Sequence, residues 1–171
     1  RVVLNMSSRI LYDTRDNSIL RCQPEPKGSA SLPSFDALCK SARVLESEKE
    51  NADTITIEGD YLTHQVQNKF RVVELDDEIK VKEKPKVVIE PSTTELNTSD
   101  TNILTINLNI QSTLSIDDIS SVNMKINDVN FTIDITNNEG SKEIELNELD
   151  TYEIACTEDK LISKSVTVEV I

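Results

Sequence analysis

Tryptophan is absent from this chain of 171 residues, and only three Phe and three Tyr supply large ring volume. A core built without aromatics must be filled by Ile, Val and Leu, a composition that favours strands. Glycine occurs three times, at Gly28, Gly59 and Gly140, each in a stretch that reads as a turn. No glycine-rich loop is left to cradle a phosphate, which argues against nucleotide-dependent chemistry. The single histidine, His64 in "YLTHQVQ", has no Ser, Cys or carboxylate partner recognisable from spacing, so no catalytic triad can be assembled around it. Cysteines stand only at Cys22, Cys39 and Cys156. Their spacing fits neither a metal knuckle nor a redox pair, and an odd number divided between the halves argues against a disulfide framework. They read as three reduced, mostly buried small hydrophobes. No apolar run approaches the ~20 residues that cross a bilayer. Charges interrupt "RVVLNMSSRILYD" too closely for a secretory signal.

Positive charge is also scarce where it would matter for phosphates. The chain carries 18 basic and 31 acidic residues, a formal charge of −13. Nucleic acid and anionic membrane surfaces are disfavoured as partners by that excess. The imbalance is uneven: residues 1–84 hold 13 Lys/Arg against 15 Asp/Glu, or −2, whereas residues 85–171 hold 5 against 16, or −11. Two units with different surfaces are implied. The boundary falls in "VKEKPKVVIEPS", where Pro85 cannot donate to a strand ladder and so suits a short, stiff connector. The sequence therefore divides into a domain at 1–84 and a domain at 86–171.

What is present in the second domain is alternation. Leu104, Ile106, Leu108 and Ile110 interleave with Thr and Asn; Val122, Met124 and Ile126 follow the same pattern. So do Val129, Phe131, Ile133 and Ile135, then Ile144 and Leu146, then Tyr152, Ile154 and Cys156, then Val166, Val168 and Val170. With "KVVIE" first, seven strands of period two are predicted, each with one apolar and one wet face, as an antiparallel sandwich requires. The first domain mixes elements. "RILYD" and "SILRCQP" flank a hairpin turn, and Ser34 N-caps a helix carrying Phe35, Leu38, Cys39 and Ala42 on one face. "TITIEGD" and the hairpin "FRVVELDDEIKVKE" are strands, while "YLTHQVQNK" fits neither pattern cleanly. The fold class expected is mostly β: a small N-terminal α+β domain followed by an immunoglobulin-like β-sandwich.

The stretch "LNELDTYEIAC" from Leu146 carries the resemblance behind that last term. It resembles the corner before the penultimate strand in bacterial and viral immunoglobulin-like, fibronectin type III-like and PKD-like domains. The resemblance implies a structural corner at Leu149, Asp150 and Tyr152, with the tyrosine ring packed inward and its hydroxyl bonded to nearby backbone. Antibody-type domains place a bridged Cys two residues after this tyrosine; here Cys156 stands four after it, and the strand Leu104–Ile110 offers no partner.

The candidate chemistry is thin. Asp76-Asp77 and Asp117-Asp118 invite a calcium reading, but Ca²⁺ needs six or more converging oxygens, and the pairs read more simply as a hairpin turn and a helix cap. The basic residues of the first domain lack interleaved aromatics for a nucleic-acid platform. Arg9, Arg21, Lys40 and Arg43 remain as a docking face for an acidic neighbour. A small α+β domain joined to an acidic immunoglobulin-like one, without disulfides, resembles accessory structural proteins of tailed bacteriophages. That resemblance implies a non-enzymatic virion component, a head decoration, fibre, tail or baseplate accessory, docked on other virion proteins in multiple copies. It further implies no cofactor, no metal, no nucleic-acid or membrane partner, and at most weak host-surface or glycan contact through the displayed domain. The competing reading is an immunoglobulin-like module of a bacterial surface adhesin or wall protein. Thiol labelling after denaturation without reductant is expected to count three free thiols by mass; a bridge involving Cys156 would overturn the disulfide-free sandwich.

Overall fold

The computed structural model describes residues 6–26, 31–112, 114 and 119–171. Strands take 52% of the chain and helices 13%, so β pairing dominates the architecture. Two compact units divide it, Arg1–Glu83 and Lys84–Ile171.

Unit 1 is built on a three-stranded antiparallel sheet of order β2-β1-β3, from β1 (Ser7–Asp13), β2 (Ile19–Pro24) and β3 (Ala52–Glu58). Asn17, at φ 59, supplies the left-handed turn residue between β1 and β2. Alternation along β1 sends Ile10 to one face and Leu11 to the other, and both are fully buried. On the Leu11 side lies helix α1 (Phe35–Ala42), which packs Leu38 and Cys39 against the sheet. Ser34 caps it by accepting from Ala37 N at 3.2 Å, and Arg43 ends it in the left-handed conformation. A short 3-10 helix (Glu46–Asn51) leads into β3. On the Ile10 side sit Cys22, Val66, Tyr61 and Phe70, with the last two rings edge to face at 5.4 Å.

The segment that fitted neither pattern is helix α2 (Thr63–Lys69). Its sequence lacks an Asp, Ser, Thr or Asn cap at Leu62, which hides the start; Gln65 Oε1 instead accepts from Leu62 N at 2.8 Å. The helix closes the open edge of β2. Thr63 Oγ1 donates to Cys22 O and accepts from Cys22 N, both at 3.0 Å, and Gln67 Nε2 donates to Ile19 O at 2.8 Å. Side chains thus satisfy backbone groups that an edge strand would otherwise offer to another chain. Ser8, the one buried polar residue among those described, anchors the approach to α2: its Oγ donates to Gly59 O at 2.7 Å and accepts from Tyr61 N at 3.0 Å. The unit ends in the hairpin β4 (Phe70–Leu75) and β5 (Glu78–Glu83), whose turn holds Asp76 and Asp77 both at positive φ. That is a two-residue turn of the kind suited to the strand twist.

Unit 2 is a sandwich. Its strands are β6 (Lys86–Pro91), β7 (Glu95–Leu96), β8 (Ile103–Gln111), β9 (Ser121–Ile126), β10 (Val129–Asp134), β11 (Glu139–Glu145), β12 (Thr151–Cys156), β13 (Ile162–Ser163) and β14 (Val166–Val170). One sheet has the order β11-β8-β6-β13 and the other β10-β9-β12-β14-β7. Counting from the N-terminus, the long strands fall as E-B-A against C′-C-F-G, the order of immunoglobulin-like sandwiches. Leu104, Ile106, Met124, Ile154 and Val168 interdigitate from both sheets with almost no exposure.

The structure departs from the seven antiparallel strands expected at several points. Two short strands, β7 and β13, join by parallel pairing to β14 and β6. β7 follows the passage of the chain from one sheet to the other after β6, and β13 lies just before β14, where the chain passes between sheets again. Val129 is exposed although it keeps the period; it is the first residue of β10, beside the β9–β10 turn. Cys156 is half-buried, whereas Cys22 and Cys39 are buried.

Gly140 is not a turn residue. The turn is Asn137-Asn138, both at positive φ, and Gly140 lies within β11 opposite Leu108. It is needed for space: a Cβ there would sit 2.5 Å from Asp134 O, a backbone atom with no freedom to withdraw. Two residues on, Lys142 occupies a core-facing register position opposite buried Ile106. Its Nζ passes over the Phe131 ring at 6.0 Å and donates to Thr132 O of β10 at 3.2 Å. An inward-directed lysine on an edge strand that also engages the facing edge discourages edge-to-edge pairing. Gly140→Ala is expected to cost roughly 1–3 kcal/mol by overpacking, measured as a shifted urea midpoint; an unchanged midpoint would mean the β10–β11 crossing relaxes freely.

Candidate functional site

Three places hold candidate functional residues. The first is the corner at Leu146–Tyr152. Leu146 is buried in the sandwich core and Leu149 is turned out, so the chain must reverse between them. Asp150 Oδ1 accepts from Thr151 N at 2.7 Å and Asp150 O accepts from Val170 N at 2.9 Å, which starts β12 beside β14. The Tyr152 ring packs at the margin of the core, and its hydroxyl donates to Glu148 O at 3.2 Å, four residues upstream. That is the geometry of a tyrosine corner. Burial, then Glu148 and Asp150, push the phenol pKa up, so it stays a neutral donor.

The second place is the helix side of unit 1. Strand pairing sets Arg9 opposite Gln23 and Leu11 opposite Arg21, so Arg9 and Arg21 share with Leu11 the face that α1 covers. Arg9 is half-buried and its Nη1 donates to Pro33 O at 2.9 Å. Arg21 is half-buried too. Lys40 in the last turn of α1 and Arg43 at its C-cap are exposed. The four residues thus lie on one side of the sheet, but the cations open to solvent there are Lys40 and Arg43. Beside Arg43 is a shallow recess of about 230 Å³, lined among others by Leu20, Ala42, Val44 and the exposed Leu45. Arg15, which also lines it, is paired with two carboxylates of the same lining, Asp13 at 2.6 Å and Glu48 at 3.0 Å. The bonds from Arg15 hold the Asp13 carboxyl down at about 2. This pair therefore persists throughout the neutral range and is lost only as pH falls from the ordinary carboxylate range through about 2.

The third is the outer surface of the β11-β8-β6 sheet, a depression of about 480 Å³ lined by Glu90, Asn107, Asn109, Glu139 and Ser141. Ser141 Oγ donates to Asn107 Oδ1 at 2.9 Å. The depression has side-chain amides and carboxylates but no nucleophile beside a base.

Reactive groups elsewhere are dispersed. Burial pushes the Cys22 thiol up to about 11 and raises Cys39 and Cys156, so none is a thiolate at neutral pH. Cys22 instead donates from Sγ to Tyr61 O at 3.4 Å. His64 is exposed on α2. Among the described residues no three His, Cys, Asp or Glu come together to hold a metal ion, and no helix is long and apolar enough to cross a membrane. Asp76 and Asp77 form the β4–β5 turn; Asp117 and Asp118 lie outside the described residues, as does Gly28. No family model, no curated protein and no solved structure matches the chain.

Tyr152→Phe is expected to lower stability by about 0.5–1.5 kcal/mol through the lost hydrogen bond. Tyr152→Ala should cost more, up to roughly 3 kcal/mol, the lower end for large aromatic truncations because the ring is only partly buried. Urea melts check both, and a neutral Tyr152→Ala would mean that the corner holds without its tyrosine.

Proposed function

We propose that the chain is a non-enzymatic structural component of a tailed-bacteriophage virion, anchored by unit 1 and displaying the sandwich of unit 2. The observation that carries this reading is the division of charge, −2 over residues 1–84 against −11 over residues 85–171. A near-neutral unit can pack onto a larger assembly repeatedly, whereas copies of a strongly acidic one repel each other and favour separation in solvent. Further support comes from the immunoglobulin-like strand order with its tyrosine corner, and from the exposed cations Lys40 and Arg43 on the helix side of unit 1, where Arg43 lines a recess with Leu20, Val44 and Leu45 as well as Asp13, Arg15 and Glu48. Cations at the margin of an apolar contact steer an acidic partner and fix orientation.

The test is sedimentation with particles that lack the protein. The full chain and residues 1–84 are expected to pellet with them, and residues 86–171 to stay in solution. Replacing Lys40 and Arg43 by Glu in the full chain should release it at lower salt, because the lost attraction is of the screened kind. Pelleting by residues 86–171 alone would make the sandwich the structural joint and overturn the anchor-and-display scheme. Failure of the full chain to pellet would favour the bacterial-surface reading.

A further inference from the structure

Unit 2 places its exposed aliphatic side chains at one end and most of its lysines at the other. Four loops meet at one end of the sandwich and are tied by backbone bonds. Leu146 N donates to Asn102 O, Val170 N to Asp150 O, Thr98 N to Ile171 O, and Asn127 N to Glu153 O, at 2.8–3.0 Å. This end thus gathers the segment before β8, the β9–β10 turn, the tyrosine corner and the residues after β14. The large hydrophobic side chains exposed on the described part of unit 2 are Ile103 (47%), Val129 (66%), Leu149 (71%) and Ile171 (45%), and all four belong to these segments.

The same segments carry exposed Asp100, Asp128, Glu145, Glu148 and Asp150. Residues 95–103, 126–130, 145–153 and 167–171 contain no Lys or Arg at all. Four of the six lysines of the unit gather instead at the opposite end, while Lys125 and Lys142 lie within β9 and β11. Lys84, Lys86, Lys160 and Lys164 surround the pairing of β13 with the start of β6, where the Lys84 ammonium donates to Asp159 O. Carboxylates alone would mark only a solvated face. Four aliphatic side chains exposed at the same end add apolar surface to it, and apolar surface rimmed by polar groups is what contact surfaces offer.

We infer that this end of the sandwich is a docking surface for a protein partner that presents Lys or Arg around an aliphatic centre. Charge complementarity selects that occupant. A second copy of the same end would bring like charges together around its apolar contact, and an anionic lipid surface would be repelled outright. The inference goes beyond the virion reading and does not depend on which unit anchors the chain.

The test uses the ¹⁵N-labelled full chain and a synthetic peptide of alternating Lys and Leu. Saturable amide shifts are expected at Asn97–Ile103, Asn127–Val129, Glu148–Thr151 and Val170–Ile171. Leu149 is exposed, so Leu149→Ser should fold normally and weaken binding roughly tenfold, the scale of one leucine side chain withdrawn from water. Glu148→Lys should weaken it further at low salt than at high salt. The inference is overturned if an all-Lys peptide of equal length binds as well, if shifts spread over every acidic face, or if Leu149→Ser leaves the affinity unchanged. Concentration-dependent shifts of the same amides without peptide would overturn it in favour of self-contact.

Discussion

Interlocking of two faces of aliphatic side chains, with almost no aromatic volume to help, is what unit 2 depends on. Leu104, Ile106 and Leu108 descend from β8 while Met124, Ile154 and Val168 rise from β9, β12 and β14, and each is nearly or wholly buried. At ~25 cal/mol per Å² such burial is the dominant favourable contribution, and no disulfide assists it. The constraint is geometric as well as energetic. A sandwich filled by residues of similar size tolerates small errors poorly, because neither a large ring nor a bridge can bear a misplaced strand. Gly140 shows the tolerance reached: a single methyl there would meet backbone.

From that constraint follows how the edges are treated. Closely packed sheets still have open sides, and each unit blocks one with side chains. In unit 1, Thr63 and Gln67 of α2 occupy backbone groups along β2. In unit 2, Lys142 reaches from β11 to β10. Such blocking matters because an open strand edge invites pairing with another chain. The exposed groups left over are then meaningful: Lys40, Arg43 and Leu45 on one unit, Leu149 and its acidic neighbours on the other.

The chemistry of the chain fits this division. Its thiols are raised by burial, its lone histidine is exposed, and its larger depression is lined by amides and carboxylates. The buried Ser8 Oγ bonds backbone on both sides and holds a loop in place.

Period two along residues 104–110, 122–126 and 166–170 is local and was readable directly, because a half-buried strand imprints its two environments on alternate residues. The tyrosine corner was readable for the same reason: Leu146, Asp150 and Tyr152 make their contacts within a few residues of one another. Ser34 as a cap, and the hairpins around residues 17 and 76–77, belong to the same class of local signal. Helix α2 was not readable, since its stability comes from Val66 against the sheet and from Thr63 on the β2 edge, partners 41 residues away in sequence. Nor was the role of Gly140, which depends on a chain crossing at Asp134, or that of Lys142, whose inward register is set by pairing with β8. Arg9 and Arg21 read as surface charge and proved half-buried, because strand pairing decides which face a residue occupies. The grouping of Ile103, Val129, Leu149 and Ile171 at one end is the furthest from the sequence. Their segments lie up to 68 residues apart and meet only through the strand order of a closed sandwich.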